Sequence, residues 1–335
     1  MFKQSWNRLT RRGFLSRVSI MAAGWKLLPF MSGNFVHAEN NSEVGLIKTE
    51  DRKEAVRRAF KLGSPPSMQG KKVLIKPNFN TADPAPGSTH NDTLSTMIDE
   101  VRQRGAREII IGERSGPPDT REVMEEKGIF DLAEKEGVQV INFDQLEDHE
   151  LVHFEDKELH WKDGFHVPRI LYEVDHILAC GCLKTHQFNG VFTMALKLAV
   201  GIIPREGTDY MSQLHGSEDM RKMIAEINLA YHPDMYIIDG IDAFVSGGPA
   251  TGEKVRAGIT LCARDPVAID AVGVSILKKL GSTPDIMDKP VFQQEQIARA
   301  TEIGLGVSGP EMIRLLSDDP AGEDYIQSLH EYLRT

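Results

Sequence analysis

Cysteine is scarce. Three in 335 residues leave no disulfide scaffold and no set of thiolates for an iron–sulphur cluster. Positive charge is also in deficit: 39 Lys and Arg stand against 49 Asp and Glu, a net of −10. No Lys/Arg-rich run with interleaved aromatics occurs, so nucleic acid is not an expected partner. Apolar runs are too short and too interrupted for a membrane span, so no stable span is expected in the mature chain. Internal repeats, low-complexity tracts and linkers are absent after Ala38. What is present is ordinary globular material, 41% hydrophobic and 26% charged, enough for one large domain or two lobes.

The first 38 residues read as a leader. "TRRGFLS" sets Arg11 and Arg12 ahead of Phe14 and Leu15, a modest apolar stretch weakened by Lys26 follows, and Val36-His37-Ala38 offers small residues for cleavage. Residues 1–38 are therefore expected to be a twin-arginine signal peptide. The export machinery is then a partner and the destination is periplasmic or otherwise exported. The leader holds six bases and no acid, so the mature chain is more acidic still. An anion bound there must be held by a local cationic site against the global field.

Residues 39–335 alternate strand and helix signals. "KKVLIKPNF" and "REIIIGER" read as strands around a helix from Asn91 to Arg104; "DTREVMEEKGIFDLAEKEG" reads as a further helix before the strand "VQVINFD". The stretch from Leu151 to Val167 reads as a hairpin insertion. "DHILACG", "DMYIIDGI" and "AGITLCARD" resume buried strands, and Asp265, Pro266 and Gly281 bound a closing helix. The expectation is a single α/β domain over 39–335, a mainly parallel open sheet with helices on both faces; the alternative is the same chain in two lobes, 44–175 and 176–335.

Polar groups fall just after the strands: Lys76-Pro77-Asn78, Lys184-Thr185-His186, Asp239-Gly240 and Asp265-Pro266. In parallel sheets such tips converge where ligands bind. "NGVFTMALKLAVGIIP" (Asn189 to Pro204) reads as a buried helix with Asn189, Thr193 and Lys197 four apart on one face. A buried ammonium needs a carboxylate or a polar cavity. Asp270 likewise sits inside an apolar helix face and needs a cation or several N–H donors; Asp265 is read as a cap. Lys184 and Lys76 act as point charges for a carboxylate or phosphate, and His186 as an acid, a base or a metal ligand. His215 is similar. Cys180 and Cys182 with His186 resemble a zinc set, but Cys180 ends an apolar strand and reads as a small hydrophobe. "FVSGGPATGE" lacks the Walker ending; Gly248 and its neighbours either cradle an anion with backbone N–H groups or form a tight turn.

Taken in order, "VLIKPNF", "LKTHQFNGVFTMALKLAVGIIP", the His215 loop, "MYIIDGIDAFVSGGPATG" and "DPVAIDAVG" resemble the family called domain of unknown function 362, over about Lys71 to Gly281. The resemblance places Lys76, Asn78, Lys184, His186, Thr193, Lys197, His215, Asp239 and Asp270 at the family's polar motif positions. Leu198 stands where many relatives carry Asn. Members often bear ferredoxin motifs, for which this chain lacks the cysteines, so no iron–sulphur cluster is expected. The order of an α/β lobe, a basic loop with His and a Gly-rich segment is also similar to that of the nickel-pincer lactate racemases.

The function expected is an exported enzyme acting on a small anionic substrate, a carboxylate, by acid–base chemistry. His186, Lys184, Lys197 and Asp270 are the candidate catalytic residues; Lys76, Asn78, Thr185, Asn189, Thr193 and Gly248 are the candidate ligand contacts. In a Lewis-acid version, His186, His215 and Asp239 hold a divalent metal. The alternative is a periplasmic binding or cofactor-delivery module without turnover.

Overall fold

Alternation of apolar residues along the strands decides which side chains go to which face. The computed structural model describes residues 8–9 and 41–335, apart from 157 and 206–208, so the leader reading lies almost wholly outside the described residues. β1 (Ser42–Lys48) leads into α1 (Arg52–Leu62), where the Asp51 carboxylate accepts from the Lys53 and Glu54 N–H groups. β2 (Lys72–Lys76) is followed by α2 (Asn91–Gln103), β3 (Glu108–Glu113), α3 (Thr120–Glu126), α4 (Ile129–Glu136) and β4 (Gln139–Asn142). The segment read as one helix after Asp119 is two, because Gly128 takes a left-handed φ of 66° and breaks the run.

The expected hairpin is present as β5 (Leu151–Phe154) against β6 (Phe165–Pro168). β7 (His176–His186) and the short β8 (Val191–Thr193) form a second antiparallel pair, after which α5 spans only Ala195–Leu198. Asn189, Thr193 and Lys197 therefore do not share a helix face. The run is apolar on all sides, so its period is mute; the β-branched and aromatic "VFT" pairs with Lys184-Thr185-His186 instead. α6 (Tyr210–His215) and α7 (Met220–Ile227) precede the long strands β9 (Met235–Gly247) and β10 (Gly252–Ala263). Then come α8 (Pro266–Leu280), α9 (Pro284–Met287), α10 (Glu295–Glu302), β11 (Ile313–Leu316) and α11 (Pro320–Leu333).

One sheet takes nine of these strands in the order β11-β1-β10-β9-β7-β2-β3-β4, with β8 added on β7. β9, β7, β2, β3 and β4 are mutually parallel, while β10 runs antiparallel to both its neighbours. The fold is α/β, with a mostly parallel sheet. Leu74, Ile110, Ala179, Ile238 and Leu261 enter one apolar core, and their neighbours Val73, Ile75, Ile111, Cys180 and Ile237 enter the other. Helices cover both faces.

Strand direction corrects one expectation. Since β10 is antiparallel, with Ala263 level with Tyr236 at the start of β9, Asp265-Pro266 emerges at the rim opposite the ends of β2 and β7. Asp239 is mid-strand, because β9 continues to Gly247. Two of the four expected tips are thus elsewhere.

Candidate functional site

Lys76 closes β2 and Glu113 closes the adjacent β3, so parallel pairing sets two charges side by side at one rim. Lys76 Nζ lies 2.5 Å from Glu113 Oε1 and donates to the Pro77 carbonyl at 3.0 Å. Glu113 also accepts from the Phe79 and Arg114 N–H groups. Both members are buried; desolvation pushes the ammonium down and the carboxyl up, against their mutual attraction. Lys184, near the end of β7, donates to the carbonyls of Gly87 at 2.6 Å and Pro249 at 2.9 Å, tying two loops together. Burial lowers its pKa to about 8.

These groups wall a small chamber of about 40 Å³, together with Asn78, Arg114, His186, Thr193, Lys197 and Gly201. Lys197 is 8% exposed and, among the described residues, has no hydrogen bond or ion pair. Burial, reinforced by the charges of Lys184 and Arg114, brings its pKa down to about 7. Arg114 is also under-partnered: its buried Nε makes no hydrogen bond, and Asp144 lies 3.7 Å away. The Asn78 Oδ1 and Thr193 Oγ atoms are buried without partners as well. Unsatisfied buried polar atoms of this kind are uncommon in native proteins. Those of Asn78, Arg114 and Thr193 line this one cavity, while others, among them Tyr231, Gln296 and Tyr325, lie outside it.

His186 is neutral. Burial first, then Lys197, lowers its pKa to about 2, and its Nδ1 sits against the Gln187 carbonyl, which leaves Nε2 as the nitrogen with a lone pair. The chamber opens into a vestibule of about 720 Å³ that shares Asn80, Arg114, His186, Lys197 and Pro249 with it. His215 lines this vestibule, its pKa lowered by burial and by Lys197.

A family model described as a domain of unknown function, DUF362, matches residues 73–275, more than half of the 335. The chain belongs to the DUF362 family. Over 217 residues it is 25% identical to the thylakoid-associated protein sll1697 of Synechocystis sp., a stretch that is 62% of this chain and 64% of that protein, short of two thirds of the relative's length. It is also similar to the lactate racemase apoprotein from Thermoanaerobacterium thermosaccharolyticum, at 14% identity and a TM-score of 0.45, over 90% of this chain and 88% of that one.

In this DUF362 chain, Lys76, Asn78, Lys184, His186, Thr193 and Lys197 meet at one chamber, and Asn189 and His215 line the vestibule. Four expected site residues lie elsewhere. Asp270 is fully buried and accepts from the Ala195 and Leu196 N–H groups at 2.7 and 3.1 Å, holding the start of α5; it lines neither cavity. Its need for donors is met by backbone, and burial still raises its pKa to about 7. Asp239 is engaged by Arg52 at 3.0 Å and Thr93 at 2.8 Å, away from both histidines' cavity. The set His186, His215 and Asp239 is therefore not assembled, and among the described residues no group of three His, Cys, Asp or Glu is placed to hold a metal. Thr185 donates to the Gly247 carbonyl at 3.3 Å. Gly248 is a tight turn: its φ is 71°, and its N–H donates to the Thr251 carbonyl at 2.7 Å rather than to an anion. Cys180 and Cys182 are buried thiols whose pKa values burial raises.

Glu113 and Arg114 are the site residues that sequence reasoning missed. The signal was available, since "GER" ends a strand as "IKPN" does. Asn80 and Arg205 carry no such mark.

Proposed function

We propose that this protein is an enzyme that binds a small carboxylate in the inner chamber and moves a proton at the carbon beside a carbonyl or carboxylate, with Lys197 as the acid–base group. One observation carries the reading. Among the described residues Lys197 is a buried ammonium without a counterion, facing a chamber whose other under-partnered cation is Arg114, with Asp144 at 3.7 Å. A substrate anion supplies what the fold omits. Arg114 receives the carboxylate. The Thr193 hydroxyl and Asn78 carbonyl, both without partners, take the polar substituents. A lysine near pKa 7 is matched to proton transfer at neutral pH, and buried donors stabilise the developing oxyanion. His186 stays neutral and hydrogen-bonds through its ring rather than acting as the base, which reverses the role expected of it. Lys76 and Lys184 set the field and hold the walls.

The twin arginines Arg11 and Arg12, with Phe14 and Leu15 after them, support export by the twin-arginine route and a periplasmic location. Replacing both arginines with lysine should leave the protein in the cytoplasmic fraction.

The test of the chemistry is deuterium wash-in. The protein is incubated in D₂O with small 2-hydroxy and 2-oxo acids and the carbon-bound protons are followed by NMR. Exchange that disappears in Lys197→Met supports the reading. Tight binding without exchange in either form would make the protein a binding module instead.

A further inference from the structure

We propose that the substrate is amphipathic, with its carboxylate head in the inner chamber and an apolar tail lying in the vestibule against Phe188. The inference rests on the chamber being a carboxylate site and adds what the remainder of the molecule is. A space of about 40 Å³ admits a head group and little else. Arg114, His186, Lys197 and Pro249 wall both spaces, so whatever a seated head carries must run into the vestibule. At about 720 Å³ the vestibule is in the size range of small-ligand pockets.

Its wall is mostly carbon, from Pro117, Phe188, Val200, Met211 and Ala250. A site for a small polar acid would have no use for that surface. Phe188 is the clearest mark. It is 67% exposed, and it sits in a turn where Phe188, Asn189 and Val191 all have positive φ, at 59°, 65° and 62°. Non-glycine residues in that region carry strain, and strain of this kind persists at ligand sites because the surroundings impose it. The β7–β8 pairing and the Gln187 N–H on the Gly247 carbonyl do so here. The ring meets His186, which walls both spaces, edge-on at 6.5 Å, so the apolar surface reaches the residue where chamber and vestibule join. An aliphatic tail on the ligand would cover the ring and complete the apolar wall.

The experiment is calorimetry of straight-chain carboxylates, acetate through octanoate, on the protein, Phe188→Ala and Met211→Ala. Affinity should tighten roughly threefold to fourfold per methylene until the vestibule fills. Phe188→Ala should reduce octanoate affinity about threefold to tenfold and leave acetate unchanged. Acetate binding with no gain along the series would overturn the amphipathic proposal while leaving the chamber reading intact. Failure of every acid to bind would overturn both. Sedimentation velocity accompanies the titrations: an unchanged series in Phe188→Ala, with a dimer turned monomeric, would make the ring a subunit contact and also overturn the proposal.

Discussion

Replacing Lys197 with methionine should make the protein more stable at neutral pH. Methionine keeps the apolar stem of the side chain and removes a charge that the fold buries near Lys184 and Arg114, with no counterion among the described residues. Lysine ordinarily titrates at 10.5, and here at about 7. At 1.36 kcal/mol per pH unit between those values, the buried proton costs ~4–5 kcal/mol. The 8% exposure of the residue lets water reach the ammonium and makes this the upper limit. The sign follows from proton binding. Between pH 7 and 10.5 the unfolded chain holds the proton and the folded chain does not, so wild-type stability gained from this group rises with pH. Below about pH 7 the penalty is fully present. Urea unfolding followed by the fluorescence of Trp161, which is 2% exposed, measures both proteins at several pH values from 6.5 to 10. The variant should lead by several kcal/mol at pH 7, and the gap should close toward pH 10. A variant less stable at pH 7, or a gap that does not change with pH, would mean that Lys197 has a counterion, and the site reading would fall. For the same reason the affinity for a carboxylate should decline as pH rises through 7.

Glu113→Gln leaves the Lys76 ammonium buried without its anion. It should destabilise the fold by ~3–5 kcal/mol in denaturant unfolding, and adding Lys76→Met should recover most of that. Gly201→Ala would set a methyl 2.5 Å from Glu113 Oε1 and 2.7 Å from Lys76 Nζ, so the chamber wall must shift. The expected loss is ~1–3 kcal/mol, read as a lowered Tm, with carboxylate binding abolished in calorimetry. Asp270→Asn turns an amide N–H₂ toward the Ala195 or Leu196 N–H. At pH 8, where the carboxylate is ionised, unfolding should show a loss of ~1–3 kcal/mol together with weaker carboxylate binding, since α5 carries Lys197.

Much of this site was legible because parallel strands end at one rim. Lys76 and Lys184 could be placed from an apolar run followed by a charged residue, and the hairpin at Leu151–Phe154 and Phe165–Pro168 from alternation alone. Asp265 was readable as a cap, which it is, donating no charge to the site and accepting from the Val267 and Ala268 N–H groups. Strand direction was not legible. Nothing local in "AGITLCARD" says that it runs antiparallel to β9, and that fact alone carries Asp265 to the far rim. The helix assigned through Asn189, Thr193 and Lys197 failed where hydrophobicity was continuous, since a run without a polar face has no period to read. Asp270 was legible in part. Its burial and the alternative of several N–H donors were foreseen, but not that those donors are backbone groups 74 and 75 positions away, which keep it outside both cavities.

The chemistry of the chamber depends on which groups are already satisfied. Lys76 has Glu113, Lys184 has two carbonyls, and Asp270 holds the helix start that carries Lys197. Each is fixed by the fold and so contributes field and shape rather than affinity. Lys197, the Thr193 hydroxyl, the Asn78 carbonyl and the Arg114 Nε, which has only Asp144 at 3.7 Å, are what remain, and a ligand that fits must answer all four. The net charge of −10 does not oppose this. Charges on the solvated surface are screened within about 8–10 Å at physiological salt, whereas those facing a desolvated chamber act at lower dielectric. An acidic protein can therefore hold an anion, provided that a cation facing the ligand is buried and left short of partners. The same arrangement ties affinity to instability, because the ammonium that attracts the ligand is the group whose burial weakens the empty fold.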